Sequence, residues 1–164
     1  MKRSVVERLT GRLRRFARAL YAGSEAETAD EIVRLTIEAA LTADDTAGRS
    51  DIRICLFQHM IDKARAAHKA AATEPVPAEP TEDADMTIAL TALRFEERAA
   101  YLLVALEEFG YADAAAVMRV PYDVLATRVA QARIRLDEFF DEAGRRAASG
   151  SARGTPPGHL RIVK

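Results

Sequence analysis

The sequence predicts an all-α fold of two small helical domains joined by a linker, and three features predict it. Apolar residues recur at three- and four-residue steps through most of the 164-residue chain, the spacing of one helix face. Ala and Leu dominate, Trp is absent and Gly is sparse, a balance that favours helix over sheet. One stretch, residues 72–85 "ATEPVPAEPTEDAD", combines Pro75, Pro77 and Pro80 with acidic and small residues; it can neither sustain a helix nor bury a core.

In the first half, Val5, Val6, Leu9, Leu13, Phe16, Ala17 and Leu20 form one stripe, with arginines filling the other side. A break at "AGS" follows. Ser24 to Glu27 and Thr28 to Glu31 both have capping-box spacing, so a helix through Ile32, Val33, Thr36, Ile37, Ala40 and Leu41 is expected to begin there. "TADDTAGRS" interrupts again, and Ser50 is placed to cap a third helix carrying Ile52, Cys55, Leu56, His59, Met60 and Ala64.

Beyond the linker, "MTIALTAL" leads into "FEERAAYLLVALEEFG", in which Phe95, Ala99, Leu102, Leu103 and Leu106 make a stripe and Gly110 is a helix stop. "YADAAAVMRV" reads as a short helix, and Pro121 suits the first turn of the next, where its missing N–H costs nothing. Leu125, Val129, Ala132, Leu136 and Phe139 are the buried stripe of that last helix. The expected organisation is a helical domain over 1–71, a linker over 72–85, a second domain over 86–142 and a flexible tail over 143–164.

Charge and cysteine content narrow the function. The formal net charge is −1, so no global positive field draws the chain to nucleic acid and any DNA contact must be local. Cys55 is the only cysteine, which excludes an internal disulfide and fits a reducing compartment. "AAYLLVAL" is too short to span a bilayer and the amino terminus lacks a signal-peptide apolar run; a cytoplasmic protein without membrane contact is expected. Phosphate loops, nucleophile elbows and paired catalytic carboxylates are absent, so an enzyme is not expected. Cys55 and His59 share a helix face, but a structural zinc site needs four ligands and His68 and His159 lie elsewhere. No metal or cofactor is expected. The Arg-rich first helix could lie on anionic lipid, but its stripe continues the predicted core, which favours helix packing.

A short helix, the tight "MRVP" turn and a longer one-striped helix describe a helix-turn-helix, whose second member can lie in the DNA major groove. Plain core packing also produces such a pair. The wider segment "EERAAYLLVALEEFGYADAAAVMRVPYDVLATRVAQARIRL" resembles region 4 of extracytoplasmic-function (ECF) sigma factors of the sigma-70 family. "FARALYAGSEAETADEIVRLTIEAAL" and "DIRICLFQHMIDKAR" are similar to helices of region 2. The likeness spans about Phe16 to Phe140 and is greatest to the general-stress-response group and to the sigma-like domain of the response regulators that imitate it. It implies a sigma factor that directs transcription initiation by binding core RNA polymerase and promoter DNA, under control of an anti-sigma factor. The alternative is a sigma mimic that keeps the anti-sigma surface without productive promoter recognition.

The same resemblance implies DNA contacts at Tyr122, Asp123, Thr127, Arg128, Gln131, Arg133 and Arg135, and polymerase contacts at Asp30, Glu31, Arg34 and Leu35. Arg128 and Arg135 are the donors that can reach a guanine edge or phosphate, with Arg133 the other arginine kept on this helix. The chain departs from the family's usual residues at several of these places. Leu125 and Ala126 replace polar and basic residues, and Gln131 stands where Arg is frequent. Arg34-Leu35 occupies the place of a polar pair, Cys55 that of Trp, and Ile61-Asp62 that of Arg-Asn. Asp123 suits the helix macrodipole but repels phosphate.

Overall fold

The computed structural model describes residues 2–22, 26–42, 52–71, 79 and 85–151. Among these there are seven helices and no strand: α1 (Lys2–Leu20), α2 (Ala26–Thr42), α3 (Ile52–Ala70), α4 (Met86–Thr91), α5 (Phe95–Ala105), α6 (Tyr111–Met118) and α7 (Tyr122–Ser151). The all-α class is as the periodicity predicts.

The predicted stripes are the buried ones. Val6, Leu13, Phe16, Ala17 and Leu20 of α1 are buried, as are Ile32, Val33 and Thr36 of α2. On α7 Leu125, Val129, Ala132, Leu136 and Phe139 all turn inward. In α3 the stripe is wider than expected, because Phe57 and Ile61 are fully buried beside Leu56, Met60 and Ala64, while Cys55 and His59 are only half-buried. Phe57 explains the extra width. Its ring meets Phe16 of α1 and Phe109 of the α5–α6 turn edge-on, each at 5.2 Å between centroids, the arrangement aromatic quadrupoles prefer.

Phe57 thus links residues on both sides of the linker, and the buried residues of the two expected domains form one continuous cluster. α1 packs on α2 and α5, α3 on α2 and α6, and α7 closes against α5 and α6.

Several ends differ from the sequence reading for local reasons. α2 begins at Ala26, so Thr28 and Glu31 lie inside the helix and not at its start; Ser24 and Ser50 fall outside the described residues. α5 stops at Ala105, before Gly110: Glu108 adopts a left-handed conformation (φ 57°), and the Phe109 N–H reaches back to the Leu103 carbonyl at 3.0 Å. Gly110 instead caps the start of α6. Pro121 sits immediately before α7, its carbonyl accepting from the Leu125 N–H at 3.1 Å. Asp85, read as linker, is the N-cap of α4, its Oδ1 accepting from the Ile88 N–H at 2.9 Å. Apart from Asp85 and Glu79 the linker lies outside the described residues. α7 runs on to Ser151, so the stretch read as a tail is helical from 143 to 151. Ala143 extends the buried stripe one turn beyond Phe139, and Arg146 pairs with Glu142 one turn away at 2.8 Å.

Candidate nucleic-acid interface and the contacts that hold it

The helix pair read from the sequence is α6 and α7, joined by a tight turn at residues 119–121. α6 ends with Arg119 in the left-handed region (φ 55°, ψ 47°), its N–H turned back to the Ala115 and Ala116 carbonyls. The Val120 N–H also bonds the Ala115 carbonyl at 3.1 Å. This is the six-residue closure that satisfies free carbonyls at a helix end, and it aims α7 away from α6. With Leu125, Val129 and Ala132 fixed in the core, the opposite face of α7 is set.

On that face Tyr122 is 60% exposed. Asp123, Thr127, Gln131 and Arg133 are exposed as well, and the Thr127 hydroxyl is turned back to donate to the Asp123 carbonyl at 2.8 Å. Arg128 and Arg135 are different. Arg128 Nη1 lies 2.9 Å from Glu96 Oε2, and Arg135 Nε lies 3.3 Å from Glu97 Oε2. Both carboxylates belong to the first turn of α5.

Glu96 is shared further. Arg65 of α3 grips it with two bonds, Nε to Oε1 at 2.6 Å and Nη2 to Oε2 at 3.0 Å. Burial alone would push the Glu96 carboxyl up, but the Arg65 hydrogen bond and the Arg65, Arg128 and His68 charges outweigh it and hold the group below its ordinary range. The same bond raises the Arg65 guanidinium. Glu97 is buried and also accepts from the Arg94 N–H at 3.2 Å, the reciprocal half of a helix N-terminal cap. Arg98, third in this run of charges, is buried too; it donates to the Leu20 carbonyl at 2.8 Å and the Leu93 carbonyl at 2.9 Å, tying α5 to the end of α1. Burial pushes its guanidinium down.

Two more contacts cross between the halves. Asp62 of α3 meets Arg119 at 3.1 Å, and the Gln58 amide donates to the Ala116 carbonyl at 2.9 Å. Ile61, adjacent to Asp62, is fully buried. Of the Ile61-Asp62 pair, one residue therefore fills the core and the other binds the turn between α6 and α7.

Sequence reasoning missed the largest of these contacts. Glu107 opens the polar pair Glu107-Glu108 after the apolar run 99–106 and so reads as a solvent-facing residue, yet its side chain is fully buried. Its Oε2 accepts from Arg12 Nε at 2.8 Å and its Oε1 from Arg15 Nη2 at 3.1 Å. Its carbonyl accepts from Arg12 at 2.9 Å and from Arg53, whose guanidinium sits 3.9 Å above the Phe109 ring. The basic side of α1 is thus partly an internal clasp. No local pattern signals it, because the partners lie far apart in sequence.

The residues expected to meet polymerase gather on α2. Asp30, Glu31 and Arg34 are exposed and Leu35 is half-buried. Arg34 bonds both Glu31 and Glu38, which raises its guanidinium and lowers the Glu31 carboxyl; Asp30 lies 3.7 Å from Arg18. No group of three or more metal-ligating side chains occurs among the described residues, and no described helix is long and apolar enough to cross a membrane.

Three helices of the first half packed on the α5–α6–α7 half make a fold that is similar to those of known sigma-like proteins. Residues 6–61 match the family described as the sigma2 domain of PhyR. Over both halves the fold is similar to the sigma factor RpoE from Bartonella quintana, solved with the anti-sigma factor NepR: 23% identity, 85% of this chain and 96% of that one, TM-score 0.71. The anti-anti-sigma factor PhyR from the same organism, also complexed with NepR, is similar at 21% identity and TM-score 0.61; 84% of this chain spans half (50%) of that protein. The PhyRSL–NepR complex from Sphingomonas sp. Fr1 is similar at 25% identity over 97% of this chain and 95% of that one, TM-score 0.59. No curated protein sequence matches the chain.

Proposed function

We propose that this chain is a sigma mimic: a non-catalytic, cytoplasmic module that presents a sigma-like surface to an anti-sigma factor and does not read promoters productively. The carrying observation is that Arg128 and Arg135, the donors best placed to reach a base edge, are held by Glu96 and Glu97 of the same chain. Freeing Arg128 for DNA would strip a half-buried carboxylate of one of its two cationic partners. Such a loss costs about 1.5–3 kcal/mol per charge-assisted bond, comparable with the about 1–3 kcal/mol that a good bidentate base contact returns. The exchange gains little. The match to the PhyR sigma2 domain and the likeness to proteins solved with an anti-sigma factor support the same reading.

The promoter-reading sigma factor, first choice from the sequence alone, becomes the second reading. One observation favours it: the turn geometry at Arg119 is intact and Tyr122, Thr127, Gln131 and Arg133 remain exposed on α7. On that reading Asp30, Glu31, Arg34 and Leu35 would meet core RNA polymerase, and the domain boundaries at 71 and 86 would let the halves separate on promoter DNA.

The readings part in one experiment. The full chain is immobilised and offered core RNA polymerase and an anti-sigma factor of the NepR type. Its binding to duplex DNA is followed by anisotropy across a salt series beside Arg128→Ala/Arg135→Ala. A mimic retains the anti-sigma factor, leaves polymerase unbound, and binds DNA no better than the double variant. Polymerase retention together with variant-sensitive DNA binding would establish the sigma factor instead.

A further inference from the structure

Beside the Glu96 ion pairs lies a cleft of about 600 Å³ between α3, the start of α5 and α7. Four cationic side chains line it, Arg65 and Lys69 from α3, Arg94 before α5 and Arg128 from α7, against two carboxylates, Glu96 and Glu97. Both carboxylates are already engaged: Glu96 by Arg65 and Arg128, Glu97 by the Arg94 N–H and Arg135. Lys69 and Arg94 are exposed, and among the described residues neither has a carboxylate partner. Gln131 adds an amide, and His68 forms a ledge stacked on Phe95 at 4.8 Å. The floor of the cleft therefore already holds one oxyanion, from the chain itself, and the rim carries surplus donors above it.

From this placement we infer that the cleft is a binding site for a small phosphoryl anion such as inorganic pyrophosphate or the phosphate groups of a free nucleotide. Lys69 of α3, Arg94 before α5 and Gln131 of α7 are the lining side-chain donors not held by Glu96 or Glu97, so they converge from three sides. A planar carboxylate uses one fork of donors, whereas a tetrahedral phosphoryl group presents oxygens to several, and guanidinium with ammonium is the pairing that recognises it. The first turn of α5, Phe95 to Glu97, lines the same space. Arg65 and Arg128 are recessed, with side chains 30% and 25% exposed. The convex backbone of a duplex touches the rim but does not fill the floor, which favours a small anion. Because the donors come from both halves of the chain, the bound anion would also hold those halves together. The inference is independent of whether the protein is a mimic or a sigma factor.

Pyrophosphate binding to the full chain is measured by calorimetry and by thermal unfolding, against sulfate at matched ionic strength. Saturable binding with a raised Tm is expected for pyrophosphate and not for sulfate. Lys69→Ala/Arg94→Ala removes only rim donors, so its Tm without ligand should equal the parent's, while affinity falls about tenfold for each charge-assisted bond lost. An equal response from parent and double variant, or none from the parent, overturns the site. DNA binding that depends on Lys69 and Arg94 without any pyrophosphate binding overturns it in favour of a nucleic-acid rim.

Discussion

Among the described residues, two that are not glycine, Glu108 and Arg119, occupy the left-handed region, at φ 57° and φ 55°. That conformation costs a non-glycine residue roughly 1–2 kcal/mol, and a glycine returns part of this because it loses about 0.4–1 kcal/mol more chain entropy on folding. Glu108 is exposed, so Glu108→Gly should raise Tm by a few degrees. Arg119→Gly relieves the same strain but loses the bridge to Asp62, whose partners are 61% and 38% exposed; such bridges contribute about 0–1 kcal/mol. Its Tm should stay near the parent's. A fall in Tm for Glu108→Gly in a thermal melt would show that its side chain does more than terminate α5. The same scale marks what sequence could and could not disclose. Leu13, Leu125 and Val129 were legible because burial at helical spacing writes a period into the chain. Phe57, Ile61 and Glu107 were not, because each owes its burial to partners in distant elements.

At the scale of the element, the first turn of α5 shows how one motif served two readings. "EER" reads in the sequence as a helix start, but Glu96, Glu97 and Arg98 each leave the helix to bind another segment. Periodicity located α7 and the resemblance selected its polar face. Neither showed that this face is partly spent on α5, since ion pairing depends on how two helices are set side by side. A pH dependence follows. The folded-state Glu96 carboxyl is held below its ordinary value of 4.5, so the unfolded chain takes up the proton first on acidification. The stabilisation from this group is complete above that value and is lost as pH falls through the lower folded value. Glu96→Gln should therefore be less stable than the parent at neutral pH, with the difference shrinking below about pH 4.5. Tm measured from pH 7 to pH 3 for both chains tests this, with Glu31→Gln as control for the exposed Arg34 pairs. A gap that stays constant with pH would mean the Glu96 cluster adds packing but no charge-dependent stability.

For the whole molecule, the question is what joins the two halves apart from the chain between them. They share a buried cluster, the ring of Phe57 lies between Phe16 and Phe109, and three arginines of α1 and α3 close on Glu107. The composition of residues 72–85 still marks them as the place to cut, because proline and acid there cannot support a helix. A protease site inserted in 72–85 should accordingly yield two fragments that remain associated on size exclusion. Truncating Phe57 to Ala removes a fully buried ring and should cost about 3–5 kcal/mol, enough to release the nicked halves. Glu107→Gln is gentler: Arg12 and Arg15 are 36% and 55% exposed and can turn to water, so the loss should stay below the about 3–5 kcal/mol expected when a buried pair loses one partner. The nicked Glu107→Gln protein should dissociate at lower urea than the nicked parent, while the uncut variant stays folded as one cooperative unit. Fragments of the parent that separate at once without denaturant would mean the shared core is too weak to hold the halves. The closed arrangement that keeps Arg65 on Glu96 and Asp62 on Arg119 would then depend on the intact chain.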